Sequence, residues 1–431
     1  MRIYLLFSMM EAFISLMLKD VVDSYTLTVL WMFINSFVLI GWFYHKSKDT
    51  TMFMFLLIGF LLRLLMMIYD TNVSRLPFNT GDAYKFDEMA RLTAAALPEQ
   101  LLEHFTGFYS QFLGVVYYIF GEYNFFGHFI NISFIMLAAT KLIDIADLLE
   151  FKTRNEKLLI ALWLFMPIPM LMGYALLREA SMYYFIVQSI YFFLKWFEKY
   201  NYIYAVLAIL MGLMGGKYHS GVSVIVVPYI YYFIFYSRKK KKISFNIFNK
   251  LIIAAGIVVA LLVLQSAGDE IYGKATADTG GGSAYLTNIE MDSPVDLMIW
   301  GPVKEVFLLF SPMPWLVRGG LDIATLMFDS TIFIFGMYLM VRYFRTMESK
   351  VKALVLVLLL GGFVFGLGSL NTGTAMRHRN KFTSLVLVSG IYVIDKNKKV
   401  SDNIENFIRN IFNEIWTVLS KSSKIKMSRF D

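Results

Sequence analysis

The chain has 431 residues, of which 58% are hydrophobic and 17% are charged. Soluble domains are about 45–50% apolar and about 25% charged, so this composition excludes a soluble domain and predicts a multi-pass membrane protein. The formal net charge is +8, but most Lys and Arg lie in short loops between apolar blocks, as cytoplasmic loops require, which argues against nucleic acid as a partner. The sequence has no Cys, which excludes disulfides, thiolate metal sites and a Cys nucleophile.

Twelve apolar blocks are each near the length of a membrane-spanning helix. Because lipid offers no partners for backbone groups, we expect helices, and the predicted fold class is all-α, a polytopic transmembrane helical bundle. The predicted spans are 4–18, 26–43, 51–69, 124–143, 157–175, 180–198, 203–217, 221–237, 251–267, 321–341, 352–370 and 383–395. Two further stretches, 106–120 and 303–318, are short and broken by Gly or Pro, so we predict re-entrant or interfacial segments there.

Basic residues predict the orientation of the bundle. The strongest cytoplasmic marker is the run 238–242, and four more basic clusters should share its side. They lie at 46–48, 152–157, 342–352 and 396–399. With an even number of spans both termini are expected in the cytoplasm, and we expect the plasma (inner) membrane as the location.

Residues 1–399 are expected to form one membrane domain with outward-facing loops at 70–105 and 268–302. The tail, 400–431, has apolar residues at helical spacing and predicts a cytoplasmic amphipathic helix that lies on the membrane surface. A partner-binding helix is the alternative for this tail.

The predicted outer turns carry acids and cations that the membrane would otherwise disfavour, and such residues tend to mark function. A carboxylate can take a proton from a hydroxyl acceptor, and Arg side chains bind phosphate oxygens bidentately. Together they suit a sugar carried on a polyprenyl phosphate or pyrophosphate, whose lipid tail stays in the membrane. The candidate catalytic residues are Asp82, Glu88 and His378. The candidate substrate-binding residues are Arg178, Lys217, His219, Arg318, Arg377, Arg379 and Tyr84.

Several candidates have a plain structural alternative. Asp82 is equally suited to capping a helix that begins near Ala83. Arg178 and its neighbour Glu179 point about 100° apart on a helix, so they are poor partners for one another, and Arg178 is the better site candidate.

Other candidates lie in later turns. Lys217 and His219 are also typical of snorkelling interfacial residues. If Arg377 and Arg379 both reach one phosphate, the backbone between them must be irregular, which Gly373 would permit. No metal-ligand spacing is present and no cofactor is required, although a divalent cation at Asp82 or Glu88 stays open.

Two motifs carry a resemblance to a known superfamily. The stretch Gly81-Asp82-Ala-x-x-Phe86-x-x-x-Ala90 resembles the first-loop pattern of the GT-C membrane glycosyltransferases. The stretch Asn371-x-Gly-Thr-Ala-Met-Arg377-His378-Arg379-x-Lys381-Phe382 resembles their late Arg-rich motif before the last helix. Leu177-Arg178-Glu179 and Ser311-Pro-Met-Pro-Trp315 look like segments of membrane proteins from capsule clusters.

The resemblance implies a GT-C-like fold, an active-site acid at Asp82 that often acts as the base, and in some members a divalent cation. The chain departs from the superfamily pattern in three ways. It has no Asp-Glu pair at the start of the first-loop motif, no large C-terminal periplasmic domain and no Trp-Trp-Asp sequence. These departures argue against protein glycosylation and leave sugar, lipid or glycan acceptors open.

The sequence therefore predicts a membrane glycosyltransferase or repeat-unit polymerase that uses a polyprenyl-(pyro)phosphate-linked sugar donor at the outer leaflet. The setting would be cell-surface polysaccharide assembly, as of capsule, exopolysaccharide or O-antigen. The expected partners are the membrane, the lipid-linked sugar, a glycan acceptor and other polysaccharide-assembly proteins. A transporter or flippase of lipid-linked glycans is the alternative, and it should show repeat symmetry and polar groups near mid-membrane. A non-catalytic scaffold is a third reading and would not need converging outer charges.

Overall fold

The computed structural model of the chain describes residues 2–18, 21–97, 99, 107–243, 283–286, 289, 293–407, 409, 410 and 413. The predicted all-α class is confirmed. The strands in this part of the chain are a two-residue antiparallel pair, Tyr236–Ser237 (β1) and Lys242–Ile243 (β2), and one isolated bridge joins Ala284 to Asn371.

Helices account for nearly all the remaining regular structure of the described residues. Eleven precede β1: Arg2–Leu18 (α1), Ser24–Lys46 (α2), Thr50–Asn72 (α3), Asp82–Ala96 (α4), Phe108–Phe120 (α5), Asn124–Leu148 (α6), Thr153–Phe165 (α7), Pro167–Tyr174 (α8), Glu179–Lys199 (α9), Tyr202–Tyr218 (α10) and Val226–Phe235 (α11). After β2 come Pro294–Phe310 (α12), Gly320–Thr346 (α13), Ser349–Leu367 (α14), Thr372–Arg379 (α15), Thr383–Lys396 (α16) and a last helix over 398–407 (α17).

Five of these helices are long and apolar enough to cross a membrane, namely α2, α3, α6, α13 and α14. A sixth span is formed if α7 and α8, which meet at 58°, are counted as one broken helix. These elements coincide with the predicted spans 26–43, 51–69, 124–143, 157–175, 321–341 and 352–370. The structure therefore supports a membrane protein with five or six spans in its described part, not the predicted count of twelve.

The other predicted spans within the described residues are helical, but none of them is long and apolar enough by itself to cross a membrane. The apolar helices at 4–18, 203–217 and 221–237 have only 10–17 residues, whereas crossing takes about 20. Helix α16 has 14 residues, and α9 has 21 but is too polar to be among the five. The predicted span 251–267 lies outside the described residues.

The two segments predicted as re-entrant or interfacial are mostly helical. The described part of 106–120 is helix α5. The segment 303–318 begins inside α12, whose start is fixed well upstream by Pro294 at the first turn and by a capping box between Ser293 and Asp296. This helix ends before Ser311, which forms a cis peptide bond with Pro312.

The five basic clusters meet at one end of the bundle, as predicted. The contacts that join them are Lys46 Nζ to Asp144 (2.6 Å), Lys157 Nζ to Asp49 (2.7 Å), Lys350 Nζ to the Leu148 carbonyl (3.5 Å), Lys396 Nζ to the Glu150 carbonyl (2.9 Å) and Ser349 Oγ to the Lys241 carbonyl (3.2 Å). We call this the basic end. The C-terminus of α6 lies here, and its N-terminus is about 37 Å away at the opposite end, since 25 residues rise about 1.5 Å each.

The tail helix α17 packs at the basic end. Val400 is buried, Ile404 packs against the core, and Glu405 Oε2 accepts a hydrogen bond from Arg154 Nη1 at 2.8 Å. The described part of the tail is therefore helical over 398–407, and most of the rest of the tail lies outside the described residues. Helices α6 and α9 are largely buried at the centre, whereas α2 and α3 leave large apolar side chains such as Phe37 and Leu65 exposed.

Candidate active site

Three separate turns bring Asp82, Glu179 and Arg377 into one chain of ion pairs. Arg377, in the last turn of α15, donates from Nη1 to Asp82 Oδ2 at 2.5 Å and from Nε to Glu179 Oε1. Asp82 and Glu179 are the first residues of α4 and α9. Helix dipoles favour acids in a first turn and cations in a last turn, so all three placements are electrostatically favourable.

Lys381 completes the group, which we call the charge cluster (Asp82, Glu179, Arg377 and Lys381). Its Nζ is 4.0 Å from Glu179 Oε1 and 4.9 Å from the centre of the Phe365 ring. The amine is buried and has no hydrogen-bond partner among the described residues, and the same holds for Glu179 Oε2. The cluster therefore contains a buried donor and a buried acceptor that have no hydrogen-bond partner within the described residues.

Arg178 and two histidines border the charge cluster. Arg178 Nη1 donates to the Tyr218 carbonyl at 3.1 Å, and within the described residues it forms no ion pair with Glu179, as predicted from their directions. The rings of His219 and His378 lie 5.4 Å apart at 85°, and both contact Phe365. His219 Nδ1 is buried and has no hydrogen-bond partner in the described part of the chain.

Burial and neighbouring charges set the protonation of these groups. Burial lowers the pKa of Lys381 to about 7, against the attraction of Glu179, and Arg377 acts in the same direction as burial. Burial lowers the pKa of His219 to about 3, and Lys381 and Arg178 add to this shift, so this imidazole is neutral at pH 7. Burial alone would raise the pKa of Glu179, but the charges of Arg377 and Lys381 outweigh it and hold the pKa below its usual range. Glu179 is therefore ionised and Arg377 is charged at neutral pH.

Asp82 does not cap its helix. The N-cap of α4 is Gly81, at φ 54°, and no side chain caps the helix there. The capping alternative for Asp82 is therefore wrong, because the helix begins one residue earlier than expected and the carboxylate reaches Arg377 instead.

Arg379 lies apart from the charge cluster. The irregular backbone predicted between Arg377 and Arg379 is wrong, since both belong to the helix α15 and point to different sides. Arg379 is buried, donates from Nη1 to the Ser311 carbonyl and to Ser330 Oγ (2.8 Å), and lies over the Phe333 ring at 4.8 Å. These contacts hold α15 against α13, so Arg377 and Arg379 do not share one ligand in this arrangement.

The other predicted site residues are exposed at the surface. They are Tyr84, Glu88, Lys217 and Arg318. None of these four side chains forms an ion pair within the described residues. Tyr84 lines a cavity beside the start of α4, and Arg318 contributes its backbone N–H to Asp322 Oδ2. The cluster thus gathers Asp82 and Arg377, with Arg178, His219 and His378 beside it, and leaves these four outside.

Sequence reasoning undervalued Glu179 and left Lys381 out of the candidate set. One signal was available for Lys381, because Arg377 and Lys381 are four residues apart and would share a face of a helical turn. Glu179 had no such signal, since its partner Arg377 is 198 residues away.

The residues near Asp82 do not fit a divalent cation. Asp82 and Glu179 are both engaged by Arg377, and Glu88 lies six residues from Asp82 on the same helix, about 240° around it. In the described ranges no three His, Asp or Glu side chains are grouped so that they could hold a metal ion.

Comparison with known proteins found no matching family model, no matching curated protein and no matching solved structure. What the chain does is therefore inferred from its own side chains.

Proposed function

We propose that the chain is a membrane glycosyltransferase or repeat-unit polymerase that uses a polyprenyl-(pyro)phosphate-linked sugar donor at the outer leaflet in cell-surface polysaccharide assembly. The observation that carries the proposal is the meeting of Asp82, Glu179, Arg377 and Lys381 at the end of the bundle away from the basic end. Ionisable side chains are costly near a membrane, so a cluster built from three distant turns points to a ligand of matching charge.

The basic end sets the proposed orientation of the chain in the membrane. We place the basic end in the cytoplasm of a cell bounded by the plasma (inner) membrane, because basic clusters favour that side. The tail helix packs at this end, which supports a cytoplasmic C-terminus, and a GT-C-like arrangement of twelve spans would place the N-terminus there too. The charge cluster then faces the outer leaflet, where a polyprenyl tail could remain in lipid.

The charges favour a phosphate group. Arg178 and Arg377 are cations beside the two carboxylates of Asp82 and Glu179, and Lys381, whose pKa is about 7, adds a third cation when it is protonated. A phosphate or pyrophosphate that enters would compete with Asp82 for Arg377 Nη1, because Arg binds phosphate bidentately. Glu179 would keep its bond to Arg377 Nε and so position the guanidinium.

Entry of the donor then frees the base. The side chain of Asp82 is 51% exposed, so it can turn toward an acceptor once Arg377 takes the phosphate. The acceptor hydroxyl attacks the anomeric carbon of the sugar, and Asp82 takes the proton as the new C–O bond forms. The bond from that carbon to the phosphate oxygen breaks, and the leaving (pyro)phosphate keeps the electron pair. Arg178, Arg377 and Lys381 stabilise its charge, as fixed donors do in a site shielded from water.

The test uses the full chain in lipid nanodiscs, with lipid-linked sugars extracted from the native host membranes. Asp82→Asn should fold and bind the donor but lose at least about a hundredfold in turnover, the usual contribution of a general base. Glu122→Gln is a matched control, because its side chain is 48% exposed and is paired with Arg91 outside the charge cluster. Wild-type turnover in Asp82→Asn would show that Asp82 is not the base. The absence of turnover in the wild type would refute the proposed transferase activity. Glycan from a deletion strain would separate the two enzyme types, since loss of a polymerase leaves single repeat units.

A flippase of lipid-linked glycans is the second candidate, and the broken span of α7 and α8 favours it. The Ile168 N–H beyond the break is bound by Asp329 Oδ1 at 3.3 Å, and the Leu164 carbonyl before it accepts from Arg63 Nη2 at 3.0 Å. Discontinuous helices with buried polar side chains mark substrate sites in many transporters. Movement of a fluorescent lipid-linked glycan across proteoliposomes without any acceptor would favour this function over the transferase.

A further inference from the structure

A cavity of about 270 Å³ opens beside the first turn of α4, the helix that begins at Asp82. Gly81 and Ala83, which flank Asp82 in the sequence, both line it. The polar side chains that line it are Arg75, Asn79, Thr80, Tyr84, Asp87, Asn124 and His128. The transfer chemistry proposed above uses none of these side chains.

Hydrogen bonds fix the inner wall of the cavity. Asp70 accepts from the Leu76 N–H at 2.6 Å, from Arg75 at 3.1 Å and from the Asn79 amide. His128 Nδ1 lies 2.7 Å from the Tyr174 carbonyl, which can only accept, so Nδ1 carries the proton and Nε2 accepts from Asn79. Asn79, His128 and Asp70 are all buried, and a wall held in this way is organised before any ligand binds.

The charges of the cavity are already balanced within the protein. Arg75 is paired with Asp70, and Asp87 is paired with Arg91 at 3.0 Å. A phosphate or an ammonium group would therefore find no unpaired opposite charge here, in contrast to the charge cluster. The walls instead offer amide, carboxylate and guanidinium groups that donate and accept hydrogen bonds, which suits a neutral ligand with several hydroxyls.

An aromatic ring and the size of the cavity narrow the ligand further. The Tyr84 residue is 70% exposed at the rim, so its ring has an open face on which the apolar face of a sugar could stack. The volume is just below the range of about 300–1,000 Å³ found for drug-sized ligands, so it suits a single ring.

We propose that this cavity binds a neutral pyranose, the terminal sugar ring of the glycan acceptor, and presents its hydroxyl to Asp82. The inference rests on the proposed transferase, and it adds a separate acceptor subsite to the phosphate site. Tyr84 and Asn124 are the side chains whose removal should alter acceptor binding without disturbing the wall, because Tyr84 is exposed and Asn124 takes no part in the hydrogen bonds that hold the wall.

The experiment measures binding without the donor, by saturation-transfer NMR on the full chain in nanodiscs. The probes are neutral methyl pyranosides, a methyl uronide and inorganic phosphate. At least one neutral glycoside should bind, Tyr84→Ala should weaken it about tenfold or more, and Tyr84→Trp should retain it. Trp315→Ala is the matched control, since Trp315 is also highly exposed (72%) and does not line the cavity.

Arg377→Gln combined with Glu179→Gln separates the two sites, because it removes the guanidinium without leaving a buried unpaired carboxylate. The double variant should weaken lipid-phosphate binding and leave glycoside binding unchanged. The subsite is overturned if no neutral glycoside binds, if the uronide or phosphate binds in its place, or if Tyr84→Ala and Trp315→Ala have the same effect. If the chain binds glycosides through Tyr84 but never transfers sugar, the proposed transferase activity is wrong and the sugar subsite stands. If the chain is active but the acceptor KM is unchanged in Tyr84→Ala, the subsite is wrong and the transferase activity stands.

Discussion

Replacing Arg377 with Ala should destabilise the fold far more than the loss of a surface ion pair. The Glu179 side chain is 1% exposed, and within the described residues the substitution leaves it with one ion-pair partner, Lys381, at 4.0 Å. Removing one partner of a buried pair costs about 3–5 kcal/mol, because the remaining charge stays in a poorly solvated site. The bond to the half-exposed Asp82 adds at most about 1 kcal/mol, as for other exposed pairs.

The pH dependence of Arg377→Ala gives the sharper test. In the wild type the pKa of Glu179 is below its unfolded value, so its contribution to stability is present above that value and is lost as the pH falls through the folded pKa. Without Arg377, burial dominates and raises the folded pKa above the unfolded value of about 4.3. Stability is then greatest at low pH and falls as the pH rises through that folded pKa, so the variant should lose much less at pH 5 than at pH 8.

SDS-induced unfolding in mixed micelles at both pH values measures the effect. Arg91→Ala is the control, because Arg91 pairs with Asp87 but its side chain is 39% exposed, and its loss should cost about 1 kcal/mol or less. The double variant Arg377→Ala with Glu179→Gln should be more stable than the sum of the single changes predicts. A loss below about 1 kcal/mol for Arg377→Ala, or the same loss at both pH values, would refute a buried and uncompensated Glu179.

Two further predictions concern buried positions. The wild type should become more stable between about pH 7 and about pH 10, because the folded pKa of Lys381 is about 7 and the unfolded one is about 10.4. Lys381→Met should abolish this rise, which unfolding free energies across that pH range measure, and an unchanged slope would count against a buried amine. Gly366→Ala should destabilise the chain by about 1–3 kcal/mol through overpacking, because the new Cβ would lie 2.9 Å from the backbone nitrogen of Glu305. Gly368→Ala is the control, because its Cβ would meet nothing within 4 Å and the midpoint of unfolding should stay unchanged.

Local features of the sequence were enough to predict the helical fold and the meeting of the basic clusters at one end of it. Apolar blocks located the helices, and the basic runs were correctly expected to share one side because each lies in a short connection. The number of spans was not predicted correctly, because blocks such as 203–217 are apolar and helical but too short to show by themselves that they cross a membrane.

Pairwise contacts of the site were beyond sequence reasoning. Nothing local indicates that Arg377 binds Glu179 while Arg379, two residues later, packs against Ser330. Residues two apart on a helix face different ways, and this rule alone places the two arginines on different sides. The expectation that both bind one phosphate led instead to the prediction of an irregular turn. Asp82 was found because ionisable residues at the membrane are costly and tend to mark function, a signal that does not depend on knowing its partner.

The bond between Glu179 and Arg377 also has a consequence for biosynthesis. The two residues are 198 positions apart, so at about 5–20 residues per second the ribosome makes Arg377 about 10–40 s after Glu179. During that interval the acid has neither Arg377 nor Lys381, and a neutral, protonated carboxyl is the less costly form at the membrane. Insertion of the segment from α15 to α16 would therefore ionise Glu179 and close the bundle in one step, and chains cut short before α15 would remain open at this end.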